Sequence, residues 1–261
     1  MNDSELLRAY AKERSEAAFD VLVERYLNLV YASAFRQLRD PHRAEEVCQA
    51  VFILLARKAG SIPNTTILAG WLFRTTRFVA AKAVRTEHRR LQREREAMEI
   101  PSDTSPSAWD EAEPLLDEAV SRLGTSDRDA ILLRFFQNKS HKEIASGLGT
   151  TEDGARKRVT RAVEKLRSFF AQKGILISVA VLDEALSSHS LRAAPEGLGS
   201  VIKTLARPGK ASVPAAVTAM ISEALREMAW FRARIALGAA GAAIALVCCT
   251  VLALQWFTFS A

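Results

Sequence analysis

The chain has 261 residues, of which 49% are hydrophobic, with 12 Gly, 8 Pro and 3 Cys. This composition excludes a collagen, a disulfide scaffold and a fully disordered chain, and the length predicts two domains or one large domain. A formal net charge of +6 favours a polyanionic partner, either nucleic acid or anionic lipid.

The cysteines Cys48, Cys248 and Cys249 follow no metal-ligand spacing, so we expect a reducing compartment and no structural metal. The first residues lack a basic flank followed by an apolar stretch, which predicts synthesis in the cytoplasm without a secretory signal.

Charge is distributed unevenly along the chain. Residues 1–96 carry 17 basic and 12 acidic side chains, and residues 119–173 carry 12 and 6. The stretch between them, 97–118, holds 7 acidic side chains and no basic one. We therefore predict a first domain over 1–96, an acidic linker over 97–113, a second domain over 114–173 and a helical tether over 174–234.

Apolar residues recur with the helical period in nearly every segment, which predicts an all-α fold. One stripe runs along a long helix and comprises Phe19, Leu22, Val23, Tyr26, Leu27, Val30, Tyr31 and Ala34. A second helix follows Asp40, with Val47, Val51, Leu54 and Leu55 facing inward. A third runs from about Gly70 into a basic end.

The clearest local motif is a helix-turn-helix between residues 140 and 167. Ser140 and Glu143 form a capping box, Gly149 suits a turn with positive φ, and Thr150 or Thr151 caps the second helix. On that helix the predicted outward face holds Asp153, Arg156, Lys157 and Thr160. Such a face fits a DNA major groove, although an αα-hairpin with a solvated basic face is the alternative.

The third helix ends in a strip of positive charge. Its basic residues are Arg74, Arg77, Lys82, Arg85, Arg89, Arg90, Arg93 and Arg95. A strip of this kind can follow a phosphate backbone, although a solvated helix explains the charges equally well. Trp71 and Phe73, which precede the strip, are predicted to be core residues.

An uncharged apolar run covers Ile235 to Leu254, with Arg232 and Arg234 before it and Trp256 and Phe257 after it. At about 1.5 Å per residue, twenty residues span roughly 30 Å, the thickness of a bilayer core. We predict a transmembrane helix over 235–257 with its N-terminal side in the cytoplasm, against the alternative of a buried soluble helix.

Catalytic signatures are missing from the sequence. It contains no P-loop, no paired Glu and His metal spacing and no G-x-S-x-G, and its four histidines are isolated. We therefore expect neither an enzyme nor a cofactor.

Read together, residues 1–173 resemble the extracytoplasmic-function group of sigma-70 family sigma factors, the promoter-recognition subunits of bacterial RNA polymerase. The resemblance rests on three strings in the family's order: residues 40–52, which look like its acidic clamp-binding helix; residues 71–77, which look like its minus-10 reader; and residues 115–167, which look like its minus-35 reader.

The resemblance implies that the chain brings core polymerase to a promoter and opens the DNA. Glu46 and Gln49 would face the polymerase clamp, and the loop from Ser61 to Ala69 would hold an extruded base. The implied minus-10 residues are Ser61, Asn64, Arg74, Arg77, Lys82 and Arg85, and the implied minus-35 residues are Asp153, Arg156, Lys157, Thr160 and Arg161. A membrane partner or an anti-sigma factor would be consistent with this group.

Two alternative functions involve different partners. One is a membrane-anchored helix-turn-helix regulator that needs no polymerase, and the other is an adaptor whose basic helices bind anionic lipid.

The predicted tether also allows two roles. It contains amphipathic stretches at 175–186 and 213–228, broken by Pro and Gly, and is long enough to cover a DNA-reading face or to act only as a spacer. We favour a spacer with some inhibitory packing.

Overall fold

The computed structural model describes residues 1–91, 108–189, 192–207 and 212–227, and the regular elements in these ranges are all helical. Residues Met1–Met220 form one compact unit, and Ile221–Ala261 form another, of which the helical residues 221–227 are described. The all-α prediction is confirmed for the described part of the chain.

The first four helices form a bundle. Three of them start at N-terminal caps: the side chains of Asn2, Ser15 and Asp40 each accept a backbone N–H of the following turn. The helices are α1 (Asp3–Glu13), α2 (Glu16–Leu38), α3 (Pro41–Lys58) and α4 (Leu68–Leu91).

The interior of this bundle follows the sequence stripes. The apolar stripe of α2 is buried except at Leu27, which is half-buried, and the four predicted inward residues of α3 are fully buried. Phe73 is buried and Trp71 is half-buried. Cys48 is fully enclosed between these helices, and burial, reinforced by the nearby Glu45, raises the pKa of its thiol well above the ordinary value.

A second group of helices follows residue 108. Its members are α5 (Ala108–Ala112), α6 (Leu116–Arg122), α7 (Thr125–Ile131), α8 (His141–Leu148) and α9 (Glu152–Gln172), with a π-helical turn at Leu132–Phe136. The predicted acidic linker begins outside the described residues, and its described part, residues 108–113, is helical. Ala112 anchors that part because it is completely buried.

The tether contains helices α10 (Val179–His189) and α11 (Leu198–Ala206), and residues 215–227 are helical again. Helix α11 was not among the predicted amphipathic stretches. Among the described helices, none combines the length and apolarity needed to cross a membrane, and the predicted span over 235–257 lies outside the described residues.

Candidate nucleic-acid interface

Helices α8 and α9 form the predicted helix-turn-helix. The Ser140 hydroxyl accepts the backbone N–H of Glu143, and the Glu143 carboxylate accepts the backbone N–H of Ser140. Gly149 ends α8 with a φ of +63°, in the left-handed region. The Thr151 hydroxyl then accepts the backbone N–H of Gly154 and starts α9. The capping box and the turn are therefore confirmed.

The outer face of α9 is open to solvent. Its five predicted DNA-binding residues, Asp153, Arg156, Lys157, Thr160 and Arg161, are all exposed. The opposite face buries Ala155, Val159, Ala162, Val163 and Leu166. Lys157 pairs with Asp153 one turn earlier at 2.8 Å, in a mostly exposed ion pair that contributes little to stability.

One carboxylate, that of Asp127 on α7, contacts three basic side chains along one side of α9. The largely buried Asp127 lies 2.6 Å from Lys165 and 3.5 Å from both Arg158 and Arg161. Asp127 and Arg158 are not among the residues predicted from the sequence, because their pairing joins two helices that are distant in the chain. Arg161 is thus partly held by an internal partner, whereas Arg156 makes no ion pair within the described residues.

The basic side chains of α4 differ in their exposure to solvent. Arg74 and Arg85 are exposed, Arg77 is half-buried, and the Lys82 ammonium lies 5.5 Å from the centre of the Phe78 ring. The side chains of residues 86–91 are outside the described part, as are Arg93 and Arg95.

Helix α7 packs against α4 at Gly70. The Asp129 carboxylate lies where a Cβ on residue 70 would be, so only glycine allows this approach. Burial raises the pKa of Asp129, with Arg128 and Arg74 opposing the shift. Burial also lowers the pKa of Arg128, and the charges of Arg74 and Arg77 act in the same direction. The structure therefore brings Arg74 and Arg77 next to α7.

The loop predicted to hold a base begins beside α3. The Ser61 hydroxyl donates to the carbonyl of Lys58 at 2.9 Å, and Asn64 is exposed. Residues 64–68 line a crevice of about 770 Å³ whose other wall includes Leu133 and Gly147. The loop thus faces the helix-turn-helix in this arrangement.

The two predicted polymerase contacts lie on α3. Glu46 and Gln49 are both half-buried, and the Gln49 amide oxygen is buried without a hydrogen-bond partner within the described residues.

Residues 22–90 match the family model of Sigma-70 region 2, and residues 114–166 match that of Sigma-70, region 4. The two matched stretches follow one another along the chain, the first within the α1–α4 bundle and the second over α6–α9.

Curated proteins with similar sequences are named as RNA polymerase sigma factors. The RNA polymerase sigma factor CarQ of Myxococcus xanthus is 27% identical over 62% of this chain and 94% of its own length. The ECF RNA polymerase sigma factor SigK of Mycobacterium sp. strain KMS is 26% identical over 64% and 90%. The probable RNA polymerase sigma factor RfaY of Xanthomonas campestris is 27% identical over 63% of this chain, which spans only 43% of that relative.

Among solved structures, the sigma factor RpoE of Bartonella quintana, crystallised with the anti-sigma factor NepR, covers 58% of this chain and 97% of its own, with 23% identity and a TM-score of 0.29.

Proposed function

We propose that the protein is an RNA polymerase sigma factor of the extracytoplasmic-function group, which directs core polymerase to promoters. The observation that carries this proposal is the exposed basic face of α9 on a fully capped helix-turn-helix, in a chain that also matches Sigma-70 region 2. In this proposal the core polymerase carries out RNA synthesis, and the protein itself catalyses no covalent step.

Two DNA segments would be read by the two regions. On α9, Arg156 can donate two hydrogen bonds to a guanine edge, while Lys157 can contact phosphate; Asp153, Thr160 and Arg161 border them. On α4, the cations Arg74, Arg77, Lys82 and Arg85 would meet the opened minus-10 strand, and the loop with Ser61 and Asn64 would receive a base. Because α7 lies beside Arg74 and Arg77, we infer that α7 leaves α4 during this step.

The test is a promoter-binding assay with and without purified core RNA polymerase. We expect tight, sequence-specific binding and strand opening only when the polymerase is present. Specific binding by the chain alone, unchanged by polymerase, would instead support the helix-turn-helix regulator, which needs no polymerase. Binding to anionic vesicles without sequence-specific DNA binding would support the lipid adaptor.

We propose further that residues 235–257 anchor the protein in the inner membrane, with the DNA-binding regions in the cytoplasm. The support is the length of the uncharged run and its basic and aromatic flanks. Truncation after Gly174 should move the protein from the membrane fraction to the soluble fraction and leave promoter activation equal or higher. A truncated chain that stays in the membrane fraction contradicts the anchor.

A further inference from the structure

A segment of the tether, residues 192–207, lies along α2 in the opposite direction; we call it the strap. Contacts recur along its length, and residues later in the strap contact residues earlier in α2. The contacts are Arg192 over the Phe35 ring at 3.9 Å, the Ala194 N–H donating to Asn28 at 3.0 Å, Lys203 pairing with Glu24 at 2.6 Å, and Arg207 pairing with Glu16 at 3.0 Å and with Asp20 at 3.5 Å.

The strap also closes tightly over α2. Leu198 and Ile202 are buried on the inner side of α11. A Cβ on Gly199 would lie 3.5 Å from Leu27 Cδ2, an ordinary packing distance. This contact explains why Leu27, which belongs to the apolar stripe of α2, is half-buried without lying inside the bundle.

The strap reaches α3 as well, since α11 packs against both helices. At one end, Ile53 and Ala56 line a cleft together with Leu205 and Arg207. At the other end, burial raises the pKa of Tyr31, Arg192 opposes this shift and Glu45 adds to it, so both charges lie near one ring.

Gln49 lies between these two ends. It is four residues from Glu45 and four from Ile53, so the three share one stripe of α3. The amide oxygen of Gln49 is buried without a hydrogen-bond partner in the described part of the chain. One of the two residues proposed to face polymerase is therefore on the stripe that the strap follows.

The strap is held weakly compared with the bundle. Helix α11 has nine residues, and Gly197 at its start provides no side-chain cap. Isolated helices of this length are not stable in water, and its ion pairs are partly exposed. The strap can therefore leave while α1–α4 remain folded.

We propose that the strap occupies a protein-docking face formed by α2 and α3, so that core polymerase and the strap compete for the same surface. The inference rests on the proposed function and adds a regulated step to it. The strap itself displays the chemistry that this face accepts, a short helix with two apolar anchors and flanking cations set against Glu16, Asp20 and Glu24. A docking helix of the partner with this pattern would replace it.

The test is a reversible lock in the full-length chain. Leu27→Cys and Gly199→Cys place two thiols where a Cβ on residue 199 would lie 3.5 Å from the Leu27 side chain, in a background with Cys248→Ser and Cys249→Ser. The oxidised protein has the strap fixed, and the reduced protein is its own control. Binding to purified core polymerase, measured without DNA, should be at least tenfold weaker for the oxidised form.

A second variant acts in the other direction and does not depend on the lock. Lys203→Glu with Arg207→Glu places negative charges against the three α2 carboxylates and should release the strap. We expect polymerase affinity to rise at least threefold, and hydrogen exchange of the α11 amides to accelerate. Thr204→Glu, on the exposed side of the same helix, is the control and should change neither quantity.

The outcomes separate the two proposals. Equal polymerase binding by oxidised, reduced and charge-reversed proteins would overturn the strap inference and leave the sigma function intact. Failure of every form to bind polymerase, including the charge-reversed variant with fast exchange at α11, would overturn the proposed function and the inference with it.

Discussion

The guanidinium of Arg36 and the carboxylate of Asp117 form a buried ion pair between α2 and α6. Nε and Nη2 of Arg36 lie 2.9 Å and 2.7 Å from Asp117 Oδ1, and the two side chains are only 2% and 3% exposed. The Ser33 hydroxyl and the Gln37 amide donate to the other carboxylate oxygen. This cluster satisfies the buried charges and joins the α1–α4 bundle to α6.

Asp117→Ala should lower the free energy of unfolding by about 3–5 kcal/mol, because Arg36 would remain buried without its anion. Urea unfolding followed by circular dichroism measures the change. Glu118→Ala is the matched control, since Glu118 forms a largely exposed pair with Arg122 whose loss should cost about 0–1 kcal/mol. Equal losses for the two variants would contradict the role of the buried pair.

Gly70→Ala should weaken the packing of α7 on α4 and cost about 1–3 kcal/mol, because the new methyl group would overlap the Asp129 carboxylate. Combining it with Asp129→Ala removes the overlap, so the double variant should lose less than the sum of the single ones. Thermal unfolding of the wild-type protein, the two single variants and the double variant gives the free energies for this double-mutant cycle. Gly60→Ala, whose Cβ would meet only Ala11 at 3.8 Å, should be nearly neutral.

Arg156→Ala should reduce discrimination between promoter sequences by about 1–3 kcal/mol, because Arg156 is exposed on the outer face of α9 and can donate to base edges. Lys157→Ala should weaken binding to all sequences alike and lower its salt dependence. Competition binding of the polymerase complex measures both. Lys173→Ala removes the same charge at the far end of α9 and should have little effect.

The triple change of Arg74, Arg77 and Lys82 to alanine should impair strand opening more than initial duplex binding. These cations follow the proposed base-holding loop on α4, where single-stranded DNA would lie. Permanganate footprinting detects the opened bases, and Arg8→Ala with Lys12→Ala provides a control on the exposed side of α1. Normal permanganate reactivity in the triple variant would remove α4 from this role.

Glu143 should make the helix-turn-helix sensitive to acid. Hydrogen bonds from Lys139 and from the backbone and hydroxyl of Ser140 lower its pKa from 4.5 to about 2. A lowered pKa stabilises the fold above the unfolded-state value, so this stabilisation is complete above pH 4.5 and is lost as the pH falls toward 2. Hydrogen exchange of α8 between pH 5 and 2 should follow this loss. In Glu143→Gln the step should disappear, and in Glu164→Gln it should persist.

Local features of the fold were accessible from the sequence. The Ser140–Glu143 box, the glycine turn and the apolar stripes of α2, α3 and α9 each depend on residues within a few turns of one another, where helix geometry fixes which side chains meet. The same locality explains why the outer face of α9 could be predicted residue by residue. Whether it reads DNA stays a prediction.

Long-range pairings could not be predicted in this way. Arg36 and Asp117 are 81 residues apart, and each alone resembles an ordinary surface charge. Helix α11 was missed because the Pro and Gly residues around it indicate breaks, and its two anchors become informative only beside α2. The membrane span stays a prediction for residues 235–257.

The complete enclosure of Cys48 gives the bundle an internal reporter. Its thiol is both inaccessible and held in the neutral form, so a maleimide should modify it only when α3 separates from its neighbours. The rate at which the peptide that contains Cys48 is labelled, followed by mass spectrometry, would measure how often the bundle interior opens. Release of the strap alone would leave that rate unchanged, which distinguishes a surface rearrangement from unfolding within a single sample.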